Sequence, residues 1–408
     1  MALIWKLSLR NILRNPKRSL LTVLLISCSL AALMFTDGYI VGMSRDMIKS
    51  ATRLFPGDGQ IHHPEYLSGY ESDYRLADGD ALVQQLIVQP EIEAATARAI
   101  SPAMIASSSN VLSVQMFGIN AQTEAQLSKI TSSILDGAYL TGQNKAEILI
   151  GYRLANKLAV TLGDRLVLSV PQVDSGEISQ DLFRVSGIFR FNTKAMDESM
   201  VFINLTQAQH MLNQGSAVQE VAFNFHDPSL ASDDQLPFWQ RYHNDQQEAL
   251  GWPHILPQLS SMLGIMDYSL ALMGFILFII AALGVINAMF MSIYERIWEF
   301  GVIKAIGTTP QSIFLLILTE GLILALLSVI IGLILGLCIN GWFSIVGIDY
   351  SQMEFSGVAL VEPTKTIIRP LQYIQLPIWV IALTLLACIY PAVFAARIVP
   401  TRALHKSL

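Results

Sequence analysis

Four stretches of this chain run almost without charge for longer than any soluble core helix requires. Residues 19–36 lie uncharged between Arg18 and Asp37, and 268–294 between Asp267 and Glu295; 312–348 carry only Glu320, and 374–396 carry no charge. About 18 or more apolar residues suffice to cross about 30 Å of hydrocarbon, so each stretch reads as a membrane span. More than 200 residues of ordinary polarity separate the first span from the second, enough for a folded domain. A chain with 52% hydrophobic and 14% charged residues excludes a disordered or nucleic-acid-binding protein.

Charge placement orients the spans. Lys6, Arg10, Arg14, Lys17 and Arg18 precede the first with no acid among them, which puts the N-terminus in the cytoplasm. Four spans then place 295–311 and the tail after 396 on the same side. These three segments carry a net charge of +8 and the remainder −14. A cleaved signal peptide is the competing reading, but its small-x-small triplet at 29–31 lies inside the apolar run, where a cleavage site should follow it. The cations recur at helical spacing while Trp5, Leu9 and Ile12 line another face, so 1–18 reads as an amphipathic interfacial helix that Pro16 separates from the span.

The region between the spans has the pattern of an α/β domain. Strands are expected at 111–119, 165–170, 182–189, 200–204 and 220–225, a helix at 151–160, and helical extensions of the spans at 39–54 and 236–268. A mixed sheet with helices against it follows. No GxSxG or HExxH occurs, His62 and His63 read as solvated loop residues, and Asp197 with Glu198 as a polar turn. Cys28, Cys338 and Cys388 fall in apolar runs and read as buried thiols, leaving no disulfide framework or metal site.

The most informative segment is Tyr294-Glu-Arg-Ile-Trp-Glu-Phe-Gly-Val-Ile-Lys-Ala-Ile-Gly307, followed by Thr-Thr-Pro310. Arg296 and Glu299 can pair on one helix face, whereas Glu295 and Glu299 set like charges side by side, a crowding that a basic partner would relieve. Gly307 can end this helix, and Thr309 and Pro310 can start the next. Ile297, Trp298, Phe300 and Val302 would rest on membrane or on a partner; a bare connecting hairpin is the alternative. In the spans, Gly332 and Gly336 form GxxxG and Gly284 with Ala288 a weaker version, suited to close helix approach or to ordinary bundle packing. Glu320 is costly in a span unless paired, so a polar partner is expected beside it.

The ERxxEFGxxKAIG segment, Ile317-Leu-Thr-Glu-Gly321 and the small-residue span after it resemble the permeases of the MacB, FtsX and lipoprotein-releasing Lol (LolC/LolE-like) group of ABC transporters. The C-terminal Pro400-Thr-Arg-Ala-Leu404 is similar to the family's ending. Glu147-Ile-Leu-Ile-Gly-Tyr-Arg-Leu-Ala155, Leu162-Gly-Asp164 and Val185-Ser-Gly-Ile-Phe189 resemble the Lol pattern in particular. The resemblance implies an α-helical membrane protein of the cell inner membrane with four transmembrane helices and a large α/β periplasmic domain inserted between the first and second. Its parts are an amphipathic helix at 1–18, spans at 19–40, 268–294, 312–348 and 374–396, a MacB-like core domain on helical stalks at 41–267, a coupling helix at 295–311, a periplasmic loop at 349–373 and a tail at 397–408. Residues 262–404 form the FtsX-like region.

By the same resemblance Glu295, Arg296, Glu299, Phe300, Gly301, Lys304 and Gly307 form the ATPase-coupling site, with Arg296 and Glu299 as its polar contacts. Met34, Phe35, Met266, Phe275 and Phe278 are candidates for a substrate cavity, with ordinary packing as the alternative, and Glu320 is an intramembrane polar site. No Gly-Lys dipeptide occurs, so the chain has no P-loop. ATP and Mg are then expected on a separate ABC ATPase subunit, and no cofactor, metal or catalytic residue on this chain. The expected partners are that ATPase, a second permease copy or paralogue, membrane lipid, and a periplasmic chaperone or lipoprotein. The expected function is mechanotransmission that extracts lipoproteins or other amphiphiles; MacB-like export of peptides or amphiphiles and FtsX-like control of a cell-wall hydrolase are the alternatives. The 171–181 turn, with Asp174, Glu177 and Asp181, is shorter than the chaperone-hooking loop of a Lol permease.

Overall fold

The computed structural model describes residues 2–69, 71–142, 144–350, 354–355, 358–359 and 363–399. The ending at 400–404 and part of the 349–373 loop lie outside the described residues. The chain divides into two units: Met1–Ser44 with Gly264–Asp349 and Pro363–Leu408, and Arg45–Leu263 with Tyr350–Glu362.

The first unit is helical. A short helix, Ala2–Arg14, breaks before Pro16, and among the described residues four helices long and apolar enough to cross a membrane follow, Pro16–Leu54, Pro257–Glu295, Pro310–Val346 and Gln372–Ala396, the first two with an end that belongs to the other unit. Its core gathers Ile12, Ile26, Val285, Met289, Phe300, Ile317 and Cys388. Gly332 lets the first and third of these helices touch: a Cβ there would lie 2.9 Å from Leu30 Cδ2 and 3.1 Å from the Ser27 carbonyl, and the Ser27 hydroxyl donates to the Ser328 carbonyl at 3.0 Å. Gly336 meets Met34, and Gly284 meets Leu25. The small-residue motifs therefore serve packing within one chain. Gly332→Leu is expected to push these helices apart and cost about 1–3 kcal/mol by overpacking, with Leu30→Ala restoring part of the loss; thermal melting in detergent is the measurement. An unchanged melting temperature would show the contact to be slack.

The second unit carries a ten-stranded sheet: β1 (Gly59–His62), β2 (Ile92–Ala106), β3 (Val111–Ile119), β4 (Ile134–Gly137), β5 (Glu147–Gly151), β6 (Arg165–Pro171), β7 (Ile178–Phe189), β8 (Met200–Asn204), β9 (Glu220–Phe225) and β10 (Glu248–Gly251). Their order is β10-β1-β9-β2-β3-β8-β5-β7-β4, with β6 pairing both β2 and β7. The β3–β8 and β5–β7 pairs are parallel and the others antiparallel, a mixed sheet. Pro102 pairs with Gln115 of β3, and its nitrogen faces the other edge of β2, as the Ile100 N–H does that reaches Gln219, in the gap between the stretches that pair with β9 and with β6. Helix Leu205–Leu212 lies close on β3 because Gly118 leaves room for Ala208.

Three expectations are corrected. Residues 236–256 do not continue a span helix but form Pro237–Arg241, β10 and Trp252–Ile255; Pro237 and Pro253 lack the N–H an uninterrupted helix would use. Among the thiols only Cys388 is buried, while Cys28 and Cys338 are exposed on their helices. His62 is no loop residue: it sits fully buried in β1, and burial pushes its imidazole below the usual value.

That shift has a signed consequence. A neutral buried imidazole lets the unfolded chain bind a proton that the folded one does not, so His62 costs stability as pH falls from about 6.5 toward its lower folded value. His62→Gln should flatten this acid limb, which urea midpoints of the α/β unit between neutral and mildly acidic pH would reveal. An identical slope in wild type and variant would rule out His62 as the source.

Candidate functional site

The chain between the second and third span helices is built by local rules. Helix Pro257–Glu295 ends where Arg296 leaves helical geometry, and a new helix, Ile297–Ala305, starts at once. Gly307, at φ +105°, closes it. The Gly307 N–H bonds to the Lys304 carbonyl and the Thr308 N–H to that of Ile303, the paired bonds of a Schellman ending. Thr309 then caps the third span helix, with Pro310 in its first turn.

A polar cluster holds this helix from beneath. Arg296 is buried, and its Nη1 donates to Glu320 Oε1 at 2.8 Å while its Nε reaches Glu299 Oε2 at 3.3 Å. The guanidinium also lies 4.9 Å from the centre of the Phe300 ring. Asn11 donates to the same Glu320 oxygen at 2.6 Å, and Arg14 to Glu299 Oε1 at 2.7 Å. Asn15 and Arg18 both donate to Glu295 Oε2, at 2.9 and 3.0 Å. Partial burial pushes the Glu299 carboxyl up, but hydrogen bonds and charge from Arg14 and Arg296 outweigh it and leave the group below its ordinary value. Lys304 Nζ donates to the carbonyls of Ala396 and Ile398, both at 2.8 Å, satisfying groups at the end of the fourth span helix.

The arrangement revises two expectations. The crowding of Glu295 and Glu299 is relieved by Arg14, Arg18 and Arg296 of this same chain, and Arg296 faces inward on Glu320 rather than outward as a free contact. Phe300 and Gly301 are buried, so they seat the helix. Its outward face is instead apolar: Trp298 is 51% exposed, Ile306 81%, and Ile303 is exposed beside them. Trp298 was legible in the sequence; Ile303, five positions on, and Ile306, just past the helix end, are off its i, i+3, i+4 spacing and have no charge pattern to mark them. Asn11 and Asn15 were not legible, because their partners lie about 300 residues away.

The five cavity candidates differ in exposure. Met34 is fully buried beside Leu30 and Val329, and its carbonyl accepts from Asn340 Nδ2 at 3.1 Å and from Gln372 Nε2. Packing, not ligand access, is its role. Phe35 lies against Tyr39 and Phe343 at ring distances of 6.0 and 5.1 Å. Met266 and Phe278 are half-buried, and Phe275 is exposed.

Residues 19–233 match the MacB-like periplasmic core domain and 271–400 the FtsX-like permease C-terminal region. The lipoprotein-releasing system transmembrane protein LolE of Haemophilus influenzae is 21% identical over 93% of this chain and 92% of its own length. LolC of Xylella fastidiosa is 21% identical over 71% of this chain and 72% of its own. The macrolide export ATP-binding/permease protein MacB of Mannheimia succiniciproducens is 33% identical over 25% of this chain and 16% of its own. Among solved structures, the periplasmic region of MacB from Actinobacillus actinomycetemcomitans covers 50% of this chain at 12% identity and a TM-score of 0.37, with 94% of that chain covered. With both regions in their expected order along one chain, the protein belongs to the family of ABC transporter permeases that join a MacB-like periplasmic core domain to an FtsX-like permease region.

Proposed function

We propose that this permease transmits force: a separate ATPase subunit, which holds ATP and Mg, docks on helix Ile297–Ala305 and drives the extraction of lipoproteins or similar amphiphiles from the membrane. The observation that carries the reading is the construction of that helix. Its polar residues are spent on anchoring it to the N-terminal, third and fourth helices, while Trp298, Ile303 and Ile306 are left exposed. An aromatic anchor on a rigid support is what a protein interface uses. A push on such a helix moves the bundle as a body.

The orientation follows from charge: the N-terminus, the 295–311 loop and the tail lie in the cytoplasm, and the α/β domain in the periplasm. Pro16–Leu54 is one unbroken helix, and its turns from Arg45 onward belong to the α/β unit. A second permease copy or paralogue would cover the second span helix, of whose most apolar window only 11% is buried, against 39% for the first and third. LolE, named for lipoprotein release, aligns along nearly the whole chain, which favours that cargo over export of the MacB kind.

The 171–181 turn is tied down rather than free, since Asp174 pairs with Arg75 at 2.9 Å and the Gln172 N–H reaches the Glu177 carbonyl at 2.7 Å. That suits the permease of a pair that does not hook the chaperone. Depletion of the chain should retain labelled lipoproteins in the inner membrane. Normal sorting with altered cell-wall hydrolysis would instead favour an FtsX-like regulator.

A further inference from the structure

Helix Ala2–Arg14 has two apolar faces, and the bundle uses only one. Ser8 and Ile12 are buried, with the Ser8 hydroxyl 3.4 Å from the Leu316 carbonyl of the third span helix. Trp5, Leu9 and Leu13, four apart, form a second stripe that is exposed, Leu13 at 68%. Lys6 and Arg10 lie one position along from Trp5 and Leu9 and are likewise exposed, as is Lys17 beyond the break. The nearby Arg14 and Arg18 are engaged by Glu299 and Glu295. No Asp or Glu occurs before Asp37, so the open stripe is bordered by cations of one sign.

We propose that this face is a binding surface for anionic phospholipid, with Trp5, Leu9 and Leu13 seated among the acyl chains and Lys6, Arg10 and Lys17 on headgroup phosphates. A helix that lies in the interface buries its apolar stripe by several ångströms, while lysine and arginine stems reach back to the charged layer. The rim chemistry selects the occupant. A zwitterionic headgroup returns little for three cations, whereas each cation near an anionic surface enriches binding by at most about fivefold. The aromatic ring at the stripe's end is suited to the boundary between acyl and polar layers. The surface stands on the geometry of this helix alone and does not depend on the ATPase reading.

The test is fluorescence quenching of the full chain reconstituted in phosphatidylcholine vesicles that contain brominated phosphatidylglycerol or, at equal mole fraction, brominated phosphatidylcholine. The part of the signal lost in Trp5→Phe reports the site. Brominated phosphatidylglycerol should quench that part several-fold more efficiently, with the preference falling as salt is raised. The triple substitution K6Q/R10Q/K17Q should make the two lipids equal while leaving the melting temperature unchanged. Equal quenching in the wild type, or a preference that survives the triple substitution, would overturn the proposal. A Trp5 signal that neither lipid reaches would also overturn it and would assign the stripe to a protein partner.

Discussion

Replacing Arg98 with methionine is expected to destabilise the α/β unit by about 3–5 kcal/mol, a large part of the 5–15 kcal/mol typical of a folded domain. Arg98 is fully buried in β2. Its Nε and Nη2 donate to Glu124 at 2.9 and 2.8 Å, its Nη1 to Glu220 at 2.7 Å, and its Nη2 also to the Phe55 carbonyl at 2.6 Å. The guanidinium stands 3.8 Å over the Phe55 ring. Burial works against its charge, but the two carboxylates hold its pKa above the ordinary value. Methionine fills similar volume yet leaves both carboxylates in an apolar interior without a cation, and that unpaired charge is the source of the cost. Burial already pushes the Glu220 carboxyl up with Arg98 in place. Without Arg98 the folded chain would bind more protons than the unfolded one, so the deficit should shrink as pH falls. Replacing both glutamates with leucine in the same variant should recover most of the loss. Urea melts of the three proteins decide it, and an R98M deficit below about 1 kcal/mol, the scale of an ordinary hydrogen bond, would refute the account.

The same triad anchors the end of a long helix. Phe55 directly follows Pro16–Leu54, and the carbonyls of Arg53 and Leu54 both accept from the Lys129 N–H at 3.1 and 3.2 Å. The Arg53 side chain reaches Asp58, Glu93 and the Phe225 carbonyl. Hydrogen exchange around 52–57 should therefore accelerate in R98M before the sheet as a whole opens.

How far the fold could be read depended on whether its determinants were local. The four spans are runs of apolar residues, and the strands at 111–119, 165–170, 200–204 and 220–225 are rich in β-branched or aromatic side chains, so periodicity found them. β2 was missed because Ile92–Ala106 contains six alanines, whose intrinsic preference is helical. Its strand geometry comes from pairing with β3, β6 and β9, which no window of sequence contains. β10 was missed for a related reason: Glu-Ala-Leu-Gly has little strand propensity, and only the edge of β1 recruits it. At the site, Gly307, Thr309 and Pro310 were legible as punctuation. The inward turn of Arg296 was not, because it answers to Glu320, a charge that reads as isolated within its own span.

Trp298→Ala is expected to weaken association with the ATPase subunit by about 2–4 kcal/mol, the range of an interface hot spot, and to leave the permease folded. The side chain is 51% exposed, so its removal takes away surface open to a partner together with the packing of its inner half. Glu299→Lys should also impair coupling, by another route. The substitution sets an ammonium against Arg14 and Arg296, the two cations that hold Glu299 now, and loosens the helix from its support. The two routes separate on a charge swap. If Glu299 acts within the chain, Arg14→Glu added to Glu299→Lys restores a pair and part of the ATPase association. If Glu299 instead meets a cation of the ATPase, Arg14→Glu restores nothing. Co-purification of the ATPase with each variant, together with permease-stimulated ATP hydrolysis in vesicles, measures both. Full association in Trp298→Ala would remove the apolar face from the interface, and the docking surface would then have to lie elsewhere on the bundle.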